Sequence, residues 1–172
     1  DLMNGTVEVE SVIGEGSTFT VTIPCQIASE SEVRKRKHVV RTDSKALKGV
    51  RILLAEDNDI NAEIAEELLS EEGCVTERAC DGAECLKMLE NADDGYYRMV
   101  IMDIQMPVMD GYEATRAIRK LDDEAKAEIP IIAMTANAFA EDKQAALAAG
   151  MNDHVGKPVD MSVLVPIMKK YL

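Results

Sequence analysis

Five short, largely apolar runs, each followed by an amphipathic segment, leave this chain few folds to choose from after residue 49. They are Val50–Ala55, Cys74–Ala79, Met99–Met102, Ile131–Met134 and Asp153–Val155. The helical patterns that follow lie near 60–72, 82–91, 111–121, 140–149 and 161–171. A strand that is apolar at every position must be covered on both faces, as in a parallel sheet between helices. The first, third and fourth runs have that character. The order therefore predicts an α/β fold, a doubly wound (βα)5 unit with a five-stranded parallel sheet. In such sheets the functional groups gather at the carboxyl ends of the strands.

The residues at that rim are unusually charged. The first run ends in Glu56-Asp57, the third in Asp103, the fourth in Thr135, and the fifth runs into Lys157-Pro158. Two unit charges about 4 Å apart repel by roughly 4 kcal/mol at an effective dielectric near 20, so three convergent carboxylates call for a cation. Hard oxygen donors in a small pocket suit Mg2+, which shares its coordination between one or two carboxylates, water and a phosphoryl oxygen. With Glu56 and Asp57 as metal ligands, Asp103 is the candidate nucleophile, because it ends the central apolar strand and carboxylates form acyl phosphates. Lys157 and the Thr135 hydroxyl would serve other phosphoryl oxygens. Gln105 and Asn137 flank the site and are candidates for setting the phosphate's lifetime by helping or hindering an attacking water.

These residues stand in the stretch Val100-Ile101-Met102-Asp103-Ile104-Gln105-Met106-Pro107-Val108-Met109-Asp110-Gly111, which resembles the response-regulator receiver domain. The resemblance covers residues 49 to 172 and includes Leu54-Ala55-Glu56-Asp57-Asn58, Met134-Thr135-Ala136-Asn137-Ala138 and His154-Val155-Gly156-Lys157-Pro158, in the family's order. It implies a flavodoxin-like fold with Asp103 as phosphoacceptor. Asp57, Asp103 and the Gln105 backbone carbonyl would be direct magnesium ligands, with Glu56 acting mostly through water. Thr135 and Lys157 would sense the phosphate, the Lys157–Pro158 peptide would be cis, and the domain would promote its own phosphorylation and dephosphorylation. Two positions depart from the family's pattern. His154 stands where receivers more often carry the Tyr or Phe ring of the switch, and histidine also titrates. Pro166 falls within the last helix, where a kink or break near Val163–Val165 is expected.

The first 48 residues are organised differently. Gly5–Ile13 and Ser17–Ile23 alternate apolar and polar residues around Gly14-Glu15-Gly16, the pattern of an antiparallel hairpin, which is marginal alone and needs a covering surface. Residues 1 to 27 resemble the closing hairpin of the histidine-kinase ATP-binding domain. Residues 28 to 48, with Arg34-Lys35-Arg36-Lys37, read as a linker. Hairpin, linker and receiver is the order of a hybrid sensor histidine kinase. This piece lacks that kinase's phosphorylated-histidine and nucleotide-binding motifs, so no phosphorylation from ATP is expected of it.

The net charge of −13 lies wholly in residues 49 to 172, with twelve basic and twenty-five acidic groups, which disfavours nucleic acid as a partner. The expected partners are histidine-kinase phosphotransfer helices or a histidine phosphotransfer protein, with self-association through the hairpin's unpaired edges as a further route. The cysteines show no C-x-x-C pair, and reduced thiols packed as small apolar residues are expected of a cytoplasmic protein. No signal peptide or apolar run of membrane-spanning length occurs, so any membrane anchor belongs to the parent kinase. Two other functions compete: a phosphate-independent interaction module, and an aspartyl phosphatase. The second would need an acid two residues after its nucleophile, where Gln105 stands.

Overall fold

The computed structural model describes residues 5–14, 16–24, 47–135 and 140–172, and the side chains of 140–142 are not described. The chain divides into two compact units, Asp1–Val40 and Arg41–Leu172. In the first, β1 (Thr6–Val12) and β2 (Gly16–Thr22) pair antiparallel, joined through Gly14 and Gly16, whose φ angles are +84° and +114°. The register sets Val7 against Val21 and Val9 against Phe19. Residues two apart share a strand face, so these four side chains form one apolar face, and all are exposed.

The second unit runs β3 (Arg51–Ala55), α1 (Asp59–Glu71), β4 (Val75–Ala79), α2 (Gly82–Asn91), β5 (Met99–Asp103), α3 (Gly111–Ile118), α4 (Glu124–Ala127), β6 (Ile131–Thr135), α5 (Ala140–Ala149), β7 (Asp153–Gly156) and α6 (Met161–Tyr171). Its five strands are parallel in the order β4-β3-β5-β6-β7. This is the doubly wound arrangement expected, and the strand order reverses between β3 and β5.

Alternation along the strands builds two cores. Ile52 and Leu54 of β3, Met99 and Ile101 of β5 and Ile132 and Met134 of β6 pack with α1 and α6. Leu53, Val100, Met102, Ile131 and Ala133 point the other way, toward α2, α3 and α5. β5 and β6 are buried at every position, and their continuous apolar runs follow from having helices on both faces.

Helix starts are marked by side-chain caps. Asn58, Asp81, Asp110, Asp123 and Asp160 each accept backbone N–H bonds from the first turn, and Asp110 with Glu113 closes a capping box. The helix expected over 111–121 ends at Ile118, and α4 follows as a separate short helix started by Asp123.

Of the kink or break expected near Val163–Val165, the break is absent. α6 runs unbroken from Met161 to Tyr171 with Pro166 inside it. The proline lies on the exposed side, while Leu164, Val165 and Met168 are buried against the sheet, so packing on one face holds the helix through the missing N–H on the other.

Cys74 and Cys85 are buried free thiols, as expected of packed cysteines; burial pushes their pKa values up to about 11 and about 12. Cys80 departs from that expectation by being exposed, and Cys25 lies outside the described residues. No helix among the described residues is long and apolar enough to cross a membrane.

Candidate functional site

The carboxyl ends of β3, β5 and β6 bring the predicted residues to one rim. Glu56 and Asp57 follow β3, Asp103 ends β5, Thr135 ends β6, and Lys157 follows β7. Carboxylate oxygens of Glu56, Asp57 and Asp103 lie within 4.8 Å of one another. Glu56 and Asp103 are buried, at 1% and 5% exposure, whereas Asp57 is open to solvent. Among the described residues, this set of hard oxygen donors is crowded at one edge with a single ammonium in its midst, and it fits a small divalent cation.

That ammonium is Lys157. Its Nζ lies 2.6 Å from Glu56 Oε2 and 2.8 Å from Asp103 Oδ2, bridging two carboxylates from different strands. Its backbone N–H donates to the Thr135 carbonyl at 2.8 Å, and Thr135 itself is buried. Burial works to lower the Lys157 pKa, but the bonds to Asp103 and Glu56 outweigh it and hold the side chain protonated. Burial raises the Asp103 pKa above the ordinary aspartate value; Lys157 opposes this and the neighbouring Glu56 adds to it. The Lys157–Pro158 peptide is cis, as the family resemblance implied.

The loop after Asp103 is tightly fixed. The Gln105 N–H donates to Asp103 Oδ1 at 3.3 Å. Met109 N–H donates to the Pro107 carbonyl at 2.7 Å across Val108, whose φ is +65°. An i to i+2 bond across a positive φ is the strained form of γ-turn, and a β-branched residue is an outlier there. Gly111 answers a different constraint: a Cβ on it would sit 2.2 Å from the Asp103 carbonyl oxygen. Only glycine lets α3 begin this close to β5.

His154 lies in β7, paired with Ala133 of β6. Its Nδ1 is buried without a hydrogen-bond partner, 3.6 Å from Asp153 Oδ1. Asn137, and with it Ala136 and Ala138, lies outside the described residues.

Two residues that hold the site were not singled out from the sequence. Asn61, in the first turn of α1, donates from Nδ2 to Glu56 Oε1 at 3.0 Å, so both Glu56 oxygens are engaged. Arg78 of β4 donates from Nε to the Glu56 carbonyl at 2.9 Å, from Nη2 to the Asp57 carbonyl at 3.1 Å, and from Nη1 to Asp59 Oδ1 at 2.8 Å. Asn61 was discoverable as the residue one helical turn beyond the Glu56-Asp57 pair. Arg78 was not, because its partners are mostly backbone.

Residues 52–169 match the family model for the response regulator receiver domain. Hybrid signal transduction histidine kinase B of Dictyostelium discoideum is 40% identical over 132 residues, which cover 71% of this chain and 7% of that protein. The aerobic respiration control sensor protein ArcB of Escherichia coli (strain K12) is 34% identical over 169 residues, 98% of this chain and 21% of ArcB. The chain thus spans about a fifth or less of the length of these curated relatives.

Among solved structures, the receiver domain of sensor histidine kinase PA1611 from Pseudomonas aeruginosa PAO1, with a magnesium ion coordinated in its active site cleft, superposes with a TM-score of 0.64. It is 38% identical, and the alignment covers 72% of this chain and 97% of that one. The receiver domain of Ssk1 from Saccharomyces cerevisiae, solved in complex with the histidine phosphotransfer protein Ypd1, gives a TM-score of 0.65 at 28% identity, covering 73% of this chain and 90% of that one. By its matched family model, its strand order and its rim of carboxylates, the chain belongs to the response regulator receiver domain family.

Proposed function

We propose that Asp103 accepts a phosphoryl group from a phosphohistidine on a partner, within a phosphorelay run by a hybrid sensor histidine kinase. One observation carries this reading: the Lys157 ammonium, half-buried between Asp103 and Glu56 at the end of the central strands, is a countercharge beside a candidate nucleophile. The Asp103 carboxylate attacks phosphorus, its O–P bond forming as the P–N bond breaks. The donor imidazole leaves neutral, its other nitrogen carrying the proton. Lys157 then exchanges the Asp103 oxygen for a phosphoryl oxygen, and the Thr135 hydroxyl donates to another. Asp57, Asp103 and the Gln105 carbonyl would hold Mg2+, with Glu56 reaching it mostly through water. When bound, the metal neutralises charge on the phosphoryl group. His154 is assigned to the switch that follows Thr135, and Gln105 and Asn137 to the phosphate's lifetime.

The proposed division of the chain is a closing hairpin of a kinase ATP-binding domain at 1–27, a linker at 28–48 and the receiver at 49–172. The alignment with ArcB over 98% of the chain supports that context. Ssk1, solved with Ypd1, supports a histidine phosphotransfer protein as partner, and a cytoplasmic setting is part of the same proposal. The test is direct: treat wild type and Asp103→Asn with acetyl phosphate or phosphoramidate and magnesium, then weigh the intact proteins. One phosphoryl gain in wild type alone is expected. No gain in wild type, with magnesium binding absent as well, would leave the phosphate-independent interaction module ahead, and multiple turnover of phosphomonoesters would favour the phosphatase.

A further inference from the structure

We propose that Arg78 is a positioning residue for the cation site, fixing the turn that carries Glu56 and Asp57 while Lys157 moves. This rests on the reading of the carboxylate cluster as a magnesium site. Arg78 stands on β4, paired with Leu54 of β3, and its side chain is 21% exposed. Two of its guanidinium donors go to successive backbone carbonyls, of Glu56 and Asp57, and a third goes to Asp59, in the first turn of α1. The same turn is tied to β4 by the Glu56 N–H, which donates to the Ala79 carbonyl at 3.1 Å. Asn58 caps α1 just beyond it, its side chain accepting from Ile60 and Asn61. The segment from Glu56 to Asp59 is thus gripped from β4 by one rigid planar group.

Lys157 and Arg78 divide the work. Lys157 bonds carboxylate side chains that must change partners when a phosphoryl group arrives. Arg78 bonds backbone that need not change. Turning the two carbonyls toward the guanidinium fixes the peptide planes from which the Glu56 and Asp57 side chains project, and like charges crowded there would otherwise spread apart.

Charge and positioning predict opposite signs. A guanidinium beside a cation site repels the cation, so if charge were its whole effect, Arg78→Gln would tighten magnesium binding. If Arg78 positions the turn, Arg78→Gln weakens binding, and Arg78→Lys, which keeps the charge and loses the planar fork, weakens it too. Groups that orient metal ligands in this way typically change affinity by about tenfold or more when removed.

The experiment titrates magnesium chloride into the full chain by calorimetry for wild type, Arg78→Gln, Arg78→Lys and Asp59→Asn, with a thermal melt of each. A loss of about tenfold in affinity is expected for both Arg78 variants, with less than about a twofold change for Asp59→Asn. In acetyl phosphate reactions the half-saturating magnesium concentration should rise in the Arg78 variants, while the rate at saturating magnesium returns toward wild type. Unchanged or tighter binding in Arg78→Gln would overturn the proposal, as would a tenfold loss in Asp59→Asn, which would transfer the role to the ion pair. Should Arg78→Gln melt below the assay temperature, Arg78→Lys decides alone. Wild type that binds no magnesium overturns the site reading together with this one, whereas wild-type binding matched by both variants overturns this one only.

Discussion

The two ends of the parallel sheet use the same residue types to opposite effect. At the carboxyl end, Glu56, Asp57 and Asp103 crowd together with Lys157 as the ammonium among them, and Asp103 is buried with its pKa pushed up. At the amino end, charges are spread out and surrounded by donors or acceptors of the right sign. Glu77 accepts from the hydroxyls of Tyr96 and Tyr97 at 2.7 and 2.8 Å and from Arg51 at 3.2 Å. These bonds, the tyrosines first, hold its pKa below the usual glutamate range. Arg119 reaches the carbonyls of Gly150, Ala127 and Ile129 and the side chain of Asn152, all within 2.9 Å. One end leaves like charges crowded together, and the other commits its polar groups to the fold. Functional sites commonly depart from the local optimum in this way.

The largest effect should come from breaking the satisfied end. Arg119→Met removes four hydrogen bonds and strands half-buried carbonyls, and should cost about 3 kcal/mol in chemical denaturation. Phosphoryl uptake by the folded protein should survive. At the other end the sign reverses: Asp103→Asn relieves repulsion with Glu56 and Asp57 while leaving Lys157 paired with Glu56. It should raise metal-free stability at neutral pH by about 1 kcal/mol, and a lower melting temperature would refute the account of that rim as frustrated.

Tyr97→Phe sharpens the contrast through pH. It removes one bond to Glu77, a loss of about 1 kcal/mol at neutral pH. Because the Glu77 pKa is depressed in the fold, its stabilisation is present above the ordinary glutamate value and is lost as pH falls through the folded value. The gap between wild type and Tyr97→Phe should therefore narrow below about pH 4 in denaturation curves taken across the acid range. The smallest effect is expected at Val108, exposed and held at a φ of +65°. Val108→Asn, which tolerates that conformation, should gain up to about 1 kcal/mol. A loss would mean that the valine side chain supports the loop.

Much of the site was legible because strand ends are. An apolar run that stops at a carboxylate marks both the strand and its rim, which located Glu56, Asp57 and Asp103. Gly111 stood in the stretch that resembles the receiver family, but the reason for a glycine there was not legible: it is the 2.2 Å approach that a Cβ would make to the Asp103 carbonyl oxygen. The possible break at Pro166 did not occur, since a local rule about helix interiors ignores the buried face that holds α6 together.

By itself the sequence determined the alternation of elements, the two-faced burial of the central strands and the identity of the rim residues, because periodicity and strand ends are local properties of the chain. Only the tertiary structure decided who touches whom. Lys157 meets Glu56 across 101 residues of sequence, and Arg78 and Arg119 act largely on backbone carbonyls, which every residue carries and no pattern distinguishes. Local periodicity records which face is buried, whereas partners chosen through space leave no period to read.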